Sequence, residues 1–179
     1  TLCKLCIFKF YKGFKMSNQN LKKTYFAAGC FWGVEYFFEK YKGVISAVSG
    51  YMGGFIENPT YEIVCSGFSG HLEVVEVTYD ENLVTFEELA KLFFEIHDFS
   101  QTNGQGPDIG SQYLSAIFYS NENEKNIGEK LICDLENKGF KVATSLYSMV
   151  KFYEAESYHQ DYYERHQKVP YCHSLKKIF

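Results

Sequence analysis

The chain has 179 residues, 46% of them hydrophobic and 18% aromatic, with 22 acidic against 18 basic side chains and a formal net charge of -4 at pH 7. That length supports one well-buried core and falls short of two. Without a long basic run, the charge argues against nucleic acid or an anionic membrane as a partner, and no apolar stretch approaches the roughly twenty residues of a membrane-spanning helix.

Residues 1–15 are basic and aromatic. Met16-Ser17-Asn18-Gln19-Asn20 after them reads as a natural start of translation. The expectation is an added or upstream extension over 1–15 and one folded domain over 16–179. Six cysteines, Cys3, Cys6, Cys30, Cys65, Cys133 and Cys172, stand at irregular intervals in a chain too large to need disulfide staples. No secretory signal precedes them, so a reducing, cytoplasmic setting is expected. Cys3-x-x-Cys6 has the spacing of a redox pair or half a zinc site, yet no second pair completes four ligands.

Residues 24–26 read as a strand, Gly29 as a sharp turn, and Cys30 as the start of a helix. From there Val34, Phe37, Phe38 and Tyr41 recur at the three-and-four spacing of one helical face. A cysteine in a first helical turn meets unpaired N–H groups and the positive end of the helix dipole, both of which favour thiolate and lower its pKa. The alternative is a small buried residue, the usual fate of a free cysteine. Gly29 and Gly33 remove bulk on either side, and Phe31 and Trp32 stand beside the sulfur. Two large rings in one helical turn cannot both reach the core, so at least one faces a surface site.

Gly43 closes this helix, 44–49 form a second strand, and 50–54 with 57–61 form a glycine-rich loop. No Lys-Ser/Thr follows those glycines, which excludes a P-loop. Tyr61 is either a hydroxyl donor or a core ring with a wet edge. Residues 70–79 read as a strand whose alternation puts Glu73 on the face of Val75, Val77 and Tyr79, and Glu76 on the other with Val74 and Thr78. A carboxyl among apolar neighbours holds its proton to higher pH, which suits a general acid; a strand-end glutamate facing water is the alternative.

Thr85-Phe86-Glu87-Glu88 supplies a capping box for a helix reaching about His97, with Phe86, Leu89, Phe93 and Ile96 inward. His97 has no partner at i+4 and is read as structural or as a pocket wall, not a metal ligand. Residues 103–113, with three glycines and a proline, read as a long irregular loop of the kind that carries function. Asp108 within it is a pocket residue or a turn residue bonded to its own backbone. A strand over 113–119 and a helix over 120–138 follow, with Cys133 as inert packing. Short strands over 141–145 and 149–153 and a last helix from Glu156 complete the chain. Residues 169–173 are expected to be a mobile polar tail.

Gly29-Cys30-Phe31-Trp32-Gly33, with Tyr25-Phe26-Ala27 before it and Val34-Glu35 after it, resembles the signature of the methionine sulfoxide reductase A family. Tyr51-Met52-Gly53-Gly54 with Asn58-Pro59-Thr60-Tyr61, Gly70-His71-Leu72-Glu73, residues 106–113 and residues 156–163 are similar to its further motifs, so the resemblance spans roughly 23–172. It implies a single α/β (α+β) domain, a mixed sheet with packed helices in a ferredoxin-like two-layer arrangement with long coil. It also implies reduction of the S epimer of methionine sulfoxide, free or in proteins, through a sulfenic acid on Cys30. Glu73, with Tyr61 and Tyr113, would polarise and protonate the oxygen, Phe31 and Trp32 would enclose the methyl group, and Asp108, Tyr158, His159 and Tyr162 would shape the pocket. Cys172 would resolve the sulfenic acid as a disulfide that thioredoxin reduces, with no metal or organic cofactor required.

Two departures stand out: Pro170-Tyr171-Cys172 lacks the glycine of the family's Gly-Tyr-Cys, and Phe99-Ser100 stands where Pro-Thr is expected. Cys65 falls where the family commonly has a cysteine without a redox role. Two rival classes follow from the residues. One is a thiol peroxidase, although no arginine lies in these motifs to serve its thiolate. The other is a non-enzymatic redox sensor or zinc module built on Cys3, Cys6 and Cys133 or Cys172.

Overall fold

The structure, a computed structural model, describes residues 20–179. The expectations for 1–15, Cys3 and Cys6 therefore lie outside the described residues. Within them run β1 (Leu21–Ala28), α1 (Phe31–Glu39), β2 (Val44–Met52), α2 (Tyr61–Cys65), β3 (Leu72–Asp80) and α3 (Phe86–Ile96). The second half carries β4 (Gly104–Gln105), β5 (Asp108–Ile109), β6 (Ser115–Tyr119), α4 (Glu122–Asn137), β7 (Ser145–Ser148), β8 (Tyr153–Glu154) and α5 (Tyr162–Arg165).

Six strands form one sheet in the order β7-β6-β1-β3-β2-β8, antiparallel except for the β6–β7 pair. The run β1-α1-β2-β3-α3-β6, with β1 and β3 inside β6 and β2, is the split βαβ arrangement of a ferredoxin-like domain. The expected mixed sheet with helices in two layers is thus the observed fold. Strand alternation builds it: Phe26, Val75, Val77, Tyr79 and Ile117 point to the helix side, where Val34, Phe38, Leu89, Phe93 and Leu131 meet them. Tyr25, Ala27, Val74 and Phe118 form a smaller cluster on the opposite face, with Phe152 packed against it.

The capping box at the start of α3 forms as read: the Thr85 hydroxyl accepts from Glu88 N, and the Glu88 carboxylate accepts from Thr85 N. Elsewhere the structure corrects the reading. Residues 50–52 belong to β2, because Gly50 and Tyr51 pair with Glu154 and Tyr153 as well as with β3. The loop over 103–113 contains the β4–β5 hairpin and a 3₁₀ turn at Ser111–Tyr113. The short strands expected over 141–145 and 149–153 lie further along the chain, as β7 and β8. From Glu156 the chain runs through turns before the single helical turn of α5.

Cys133 is exposed on α4, not packed. Of the stretch expected to be mobile, Val169 and Tyr171 are exposed but His173 is docked on Ala28 O, and the chain beyond it is held too: Ser174 N donates to Ile96 O, Lys176 N to Glu95 O, and the Ile178 and Phe179 N–H groups to the Glu95 carboxylate. The Ser174 and Lys176 bonds satisfy carbonyls that the end of α3 leaves open.

Phe26 is fully buried and stacks on Phe38, Phe93 and Phe86 at 4.9, 5.4 and 6.2 Å between ring centroids. It joins β1 to two helices at once. Phe26→Ala is therefore expected to lower unfolding free energy by about 3–5 kcal/mol in denaturant titration; a loss below about 1 kcal/mol would place the centre of the core elsewhere.

Candidate active site

β1 delivers the chain to the start of α1 through Gly29, whose φ of +87° is open to glycine at no steric cost. Cys30 then occupies the N-cap position, and its carbonyl accepts from Gly33 N. The two glycines flanking the cysteine are explained by what fills their space: a Cβ at 29 would overlap the Gln105 side chain, and one at 33 the imidazole of His173.

Glu73 reaches the same helix start from β3. Its Oε2 accepts a 3.0 Å hydrogen bond from Phe31 N, one of the N–H groups a helix start leaves open, so Oε1 is the oxygen left to carry a proton. Burial raises the Glu73 pKa well above the usual carboxylate range, the nearby Cys30 charge adds to the rise, and the Phe31 N–H opposes it. Glu73 is therefore a neutral acid at rest, as its place among Val75, Val77 and Tyr79 implied.

Cys30 corrects the expectation of a lowered pKa. Its thiol is held above the ordinary range, first by the Cys172 side chain hydrogen-bonded against it and then by burial, while the Trp32 N–H pulls the other way. The helix-start effect is present and is outweighed. Only 7% of Cys30 is exposed. One donor atom each from Cys30, Asp108 and Cys172 lies within 4.8 Å of the others. Two thiols and a carboxylate are donors that a zinc-like ion accepts, one short of a closed four-ligand site. Burial raises the Asp108 pKa and the Cys172 thiol opposes that rise.

The ring wall comes from both ends of the chain. Phe31 is buried between Tyr51 and His159, at 5.9 and 5.0 Å. Trp32 stacks on Tyr162 with centroids 3.7 Å apart, and its indole N–H donates to His159 Nδ1 at 3.0 Å. An indole N–H only donates, so Nδ1 must be bare and the neutral ring carries its proton on Nε2. Tyr61 and Tyr158 pack on the same imidazole at 4.5 and 4.2 Å.

Glu35 and Glu156 fasten this wall. Glu35, buried on α1, accepts from Ser49 N and Asp161 N, and burial pushes its pKa up to about 7. Glu156 accepts from the Tyr51 hydroxyl and from Tyr61 N. The Tyr61 and Tyr113 phenols are both held above their ordinary pKa, by burial first. For Tyr61 the Cys65 hydrogen bond and then the Glu73 charge add to this; for Tyr113 it is the Glu73 charge. Both remain hydroxyl donors beside the acid.

All eight residues singled out, Cys30, Glu73, Tyr61, Tyr113, Phe31, Trp32, Asp108 and Cys172, thus face one region. Cys65 is exposed at its rim and Cys133 stands on α4. His97 is structural: Nδ1 donates to Phe93 O, Nε2 accepts from Ser115 Oγ, and burial depresses its pKa to about 3. Arg165, the sequence's one arginine, donates to the Ser157 and Gln160 carbonyls. Sequence reasoning missed Glu35 and His173; only the adjacency of His173 to Cys172 pointed to it.

A thiol set against a second thiol and a buried proton donor is the equipment of a cysteine-based oxidoreductase, carried here on a two-layer α+β domain. The chain belongs to the peptide methionine sulfoxide reductase family, whose sequence model, described as "Peptide methionine sulfoxide reductase", matches residues 22–178. It is 50% identical over 145 residues to peptide methionine sulfoxide reductase MsrA of Sulfolobus acidocaldarius, covering 80% of this chain and 82% of that one. The reduced form of Mxr1 from Saccharomyces cerevisiae superposes with a TM-score of 0.83 at 33% identity, covering 92% of this chain and 97% of that one. Methionine sulfoxide reductase A of Corynebacterium diphtheriae gives 0.75 at 34% identity, over 87% and 79%.

Because Glu73 binds its proton more tightly folded than unfolded, the stability it lends is full below the unfolded carboxylate value and falls as pH rises from there to the folded value, where the acid form itself is lost. Infrared difference spectra at pH 7 are expected to show a protonated carboxyl band that Glu73→Gln removes. Absence of that band in the wild-type protein would mean an ionised Glu73.

Proposed function

We propose that this chain reduces the S epimer of methionine sulfoxide, free or in proteins, to methionine. The observation that carries the reading is the placement of Glu73 and Cys30 on one helix start, the acid bonded to the N–H of the residue after the nucleophile. The methyl group rests against Phe31 and Trp32. Cys30 Sγ attacks the sulfoxide sulfur while the oxygen takes the Glu73 proton, and Glu73 regains one from the Cys30 thiol, so a single proton moves from sulfur to oxygen. The Tyr61 and Tyr113 hydroxyls donate to the oxygen as charge gathers on it. The oxygen then passes to Cys30 Sγ: a new S–O bond forms there as the substrate S–O bond and the transient S–S bond both break, methionine leaves with the freed electron pair on its sulfur, and Cys30 holds a sulfenic acid.

Cys172 then attacks Cys30 Sγ, the S–O bond of the sulfenic acid breaks, water departs, and a Cys30–Cys172 disulfide remains. A thioredoxin-type dithiol reduces it by exchange; the yeast relative Mxr1 has a structure in complex with Trx2. No metal or organic cofactor enters these steps. Among the described residues no helix is long and apolar enough to cross a membrane, and a reducing, cytoplasmic setting suits a cycle that starts from free thiols. Asp108 and Cys172 crowd the Cys30 sulfur, so substrate entry requires the Cys172 segment to shift.

The test is an assay of both sulfoxide epimers with thioredoxin, counting thiols lost per methionine formed. The S epimer alone is expected to turn over, with two thiols lost per methionine when thioredoxin is withheld. Cys30→Ser is expected to form no methionine, and Cys172→Ser to form one equivalent and stop. Glu73→Gln is expected to slow the first step by roughly 10²–10⁴-fold and to abolish its decline at alkaline pH. Sulfoxide reduction by Cys30→Ser would sink the mechanism, and sustained cycling by Cys172→Ser would assign resolution to another thiol.

A further inference from the structure

His173 is buried and follows Cys172 directly in the chain, yet nothing in the first half of the reaction uses it. Its position is fixed on three sides. Nε2 lies 2.6 Å from Ala28 O, the ring fills the space that glycine at 33 leaves, and the next residue, Ser174, donates its N–H to Ile96 O. A carbonyl oxygen only accepts, so Nε2 carries the hydrogen and, in the neutral ring, Nδ1 presents a lone pair. That lone pair faces Cys172 Sγ at 3.0 Å. The imidazole is thus placed to accept the one thiol proton, with the Asp108 carboxylate the other acceptor in its reach.

We propose that His173 is the base that ionises Cys172 for its attack on oxidised Cys30 and then returns the proton to the departing oxygen. The proposal rests on the reading of Cys172 as the resolving thiol. The thiol proton passes to Nδ1; the Cys172 electron pair forms the S–S bond as the S–O bond of the Cys30 sulfenic acid breaks; the leaving hydroxide takes the proton from the imidazolium and departs as water. Atoms and electrons balance without a further reactant.

Two features prepare the ring for this. The titratable groups around it include Cys172, with Cys30 just beyond, Asp108 and, from the end of α3, His97. Burial lowers the His173 pKa, against the pull of the Ala28 carbonyl and the Asp108 charge, so the neutral base is the resting form. When the ring is protonated during the step, Asp108 lies close enough to stabilise the cation. This is the logic of a cysteine–histidine pair applied to the second thiol of the site.

The test mixes reduced protein with one equivalent of methionine sulfoxide, without thioredoxin, between pH 6 and 9. Methionine, dimedone-trapped sulfenic acid and disulfide are read by mass at each time point. Glutamine at 173 can keep the donor to Ala28 O while lacking the basic nitrogen. In His173→Gln, methionine is still expected to form to one equivalent, which shows that the variant folds. Disulfide closure at pH 7 is expected to fall roughly a hundredfold, so that sulfenic acid accumulates. Its rate should climb with pH, because an unassisted thiol must ionise by itself, whereas wild-type closure stays flat over the range.

Closure at the wild-type rate in His173→Gln would overturn the proposal. A uniform slowing at every pH would overturn it too, leaving His173 as an anchor for the tail. A pH-dependent slowing in Asp108→Asn but not in His173→Gln would move the role to Asp108. Disulfide formation with Cys30 in Cys172→Ser would instead refute the underlying assignment of the resolving thiol, which the His173 variants do not address.

Discussion

The hydrogen bond from Phe31 N to the Glu73 carboxyl is the contact on which the site depends. It crosses from α1 to β3, one of the two central strands of the sheet, and so ties the start of that helix to the middle of the fold. It also satisfies an N–H group that the start of α1 would otherwise bury unpaired. One interaction therefore registers acid against nucleophile and closes a helix terminus. Shifting β3 by a single residue would turn Glu73 to the opposite face of the sheet, on the side of Tyr25 and Phe118, and leave no acid beside the cysteine.

The C-terminal quarter completes what the ferredoxin-like core begins. Two of its segments reach the start of α1 from different directions. The turn over 156–161 brings His159 to the Trp32 indole, held in place by Glu35 and Glu156, while the tail over 172–176 brings Cys172 and His173 over the sulfur, held by the end of α3. Neither segment is a long regular element, and each is fixed by side chains or carbonyls from the core. Such attachments open more cheaply than packed helices, because few apolar contacts are lost with them. The proposed cycle, in which the Cys172 segment would uncover Cys30 for substrate and return to form the disulfide, suits that kind of attachment.

What could be read from the sequence follows the range of the interactions involved. Glu73 was legible because a strand's two-residue period places it among valines, and the start of α3 because a capping box is complete within four residues. Cys30 at a helix start was legible from the change of period at Gly29. The docked tail was not, since its bonds run to Glu95, Ile96 and Ala28, far off in the chain, and its own residues carry no periodicity. The β4–β5 hairpin escaped because two-residue strands are specified by their turn alone, and the glycines that permit the turn read equally well as coil. The direction of the Cys30 shift was misread for the same reason: the local effect, the helix start, was visible, and the larger one comes from Cys172.

That misreading bears on how the site works. The Cys172 hydrogen bond and burial raise Cys30, burial and the Cys30 charge raise Glu73, and the empty site rests with a thiol and a carboxylic acid where water is scarce. A permanent thiolate would add to the rise in the Glu73 pKa and make the acid a poorer donor; an ionised Glu73 would hold the thiol proton in place. In the mechanism proposed above, the arriving sulfoxide oxygen would relieve both constraints at once, accepting a proton from the acid and leaving a carboxylate able to take the thiol's proton. The nucleophile is then formed only when its target is present, and burial, which opposes ionisation in the empty site, becomes the means of coupling ionisation to substrate.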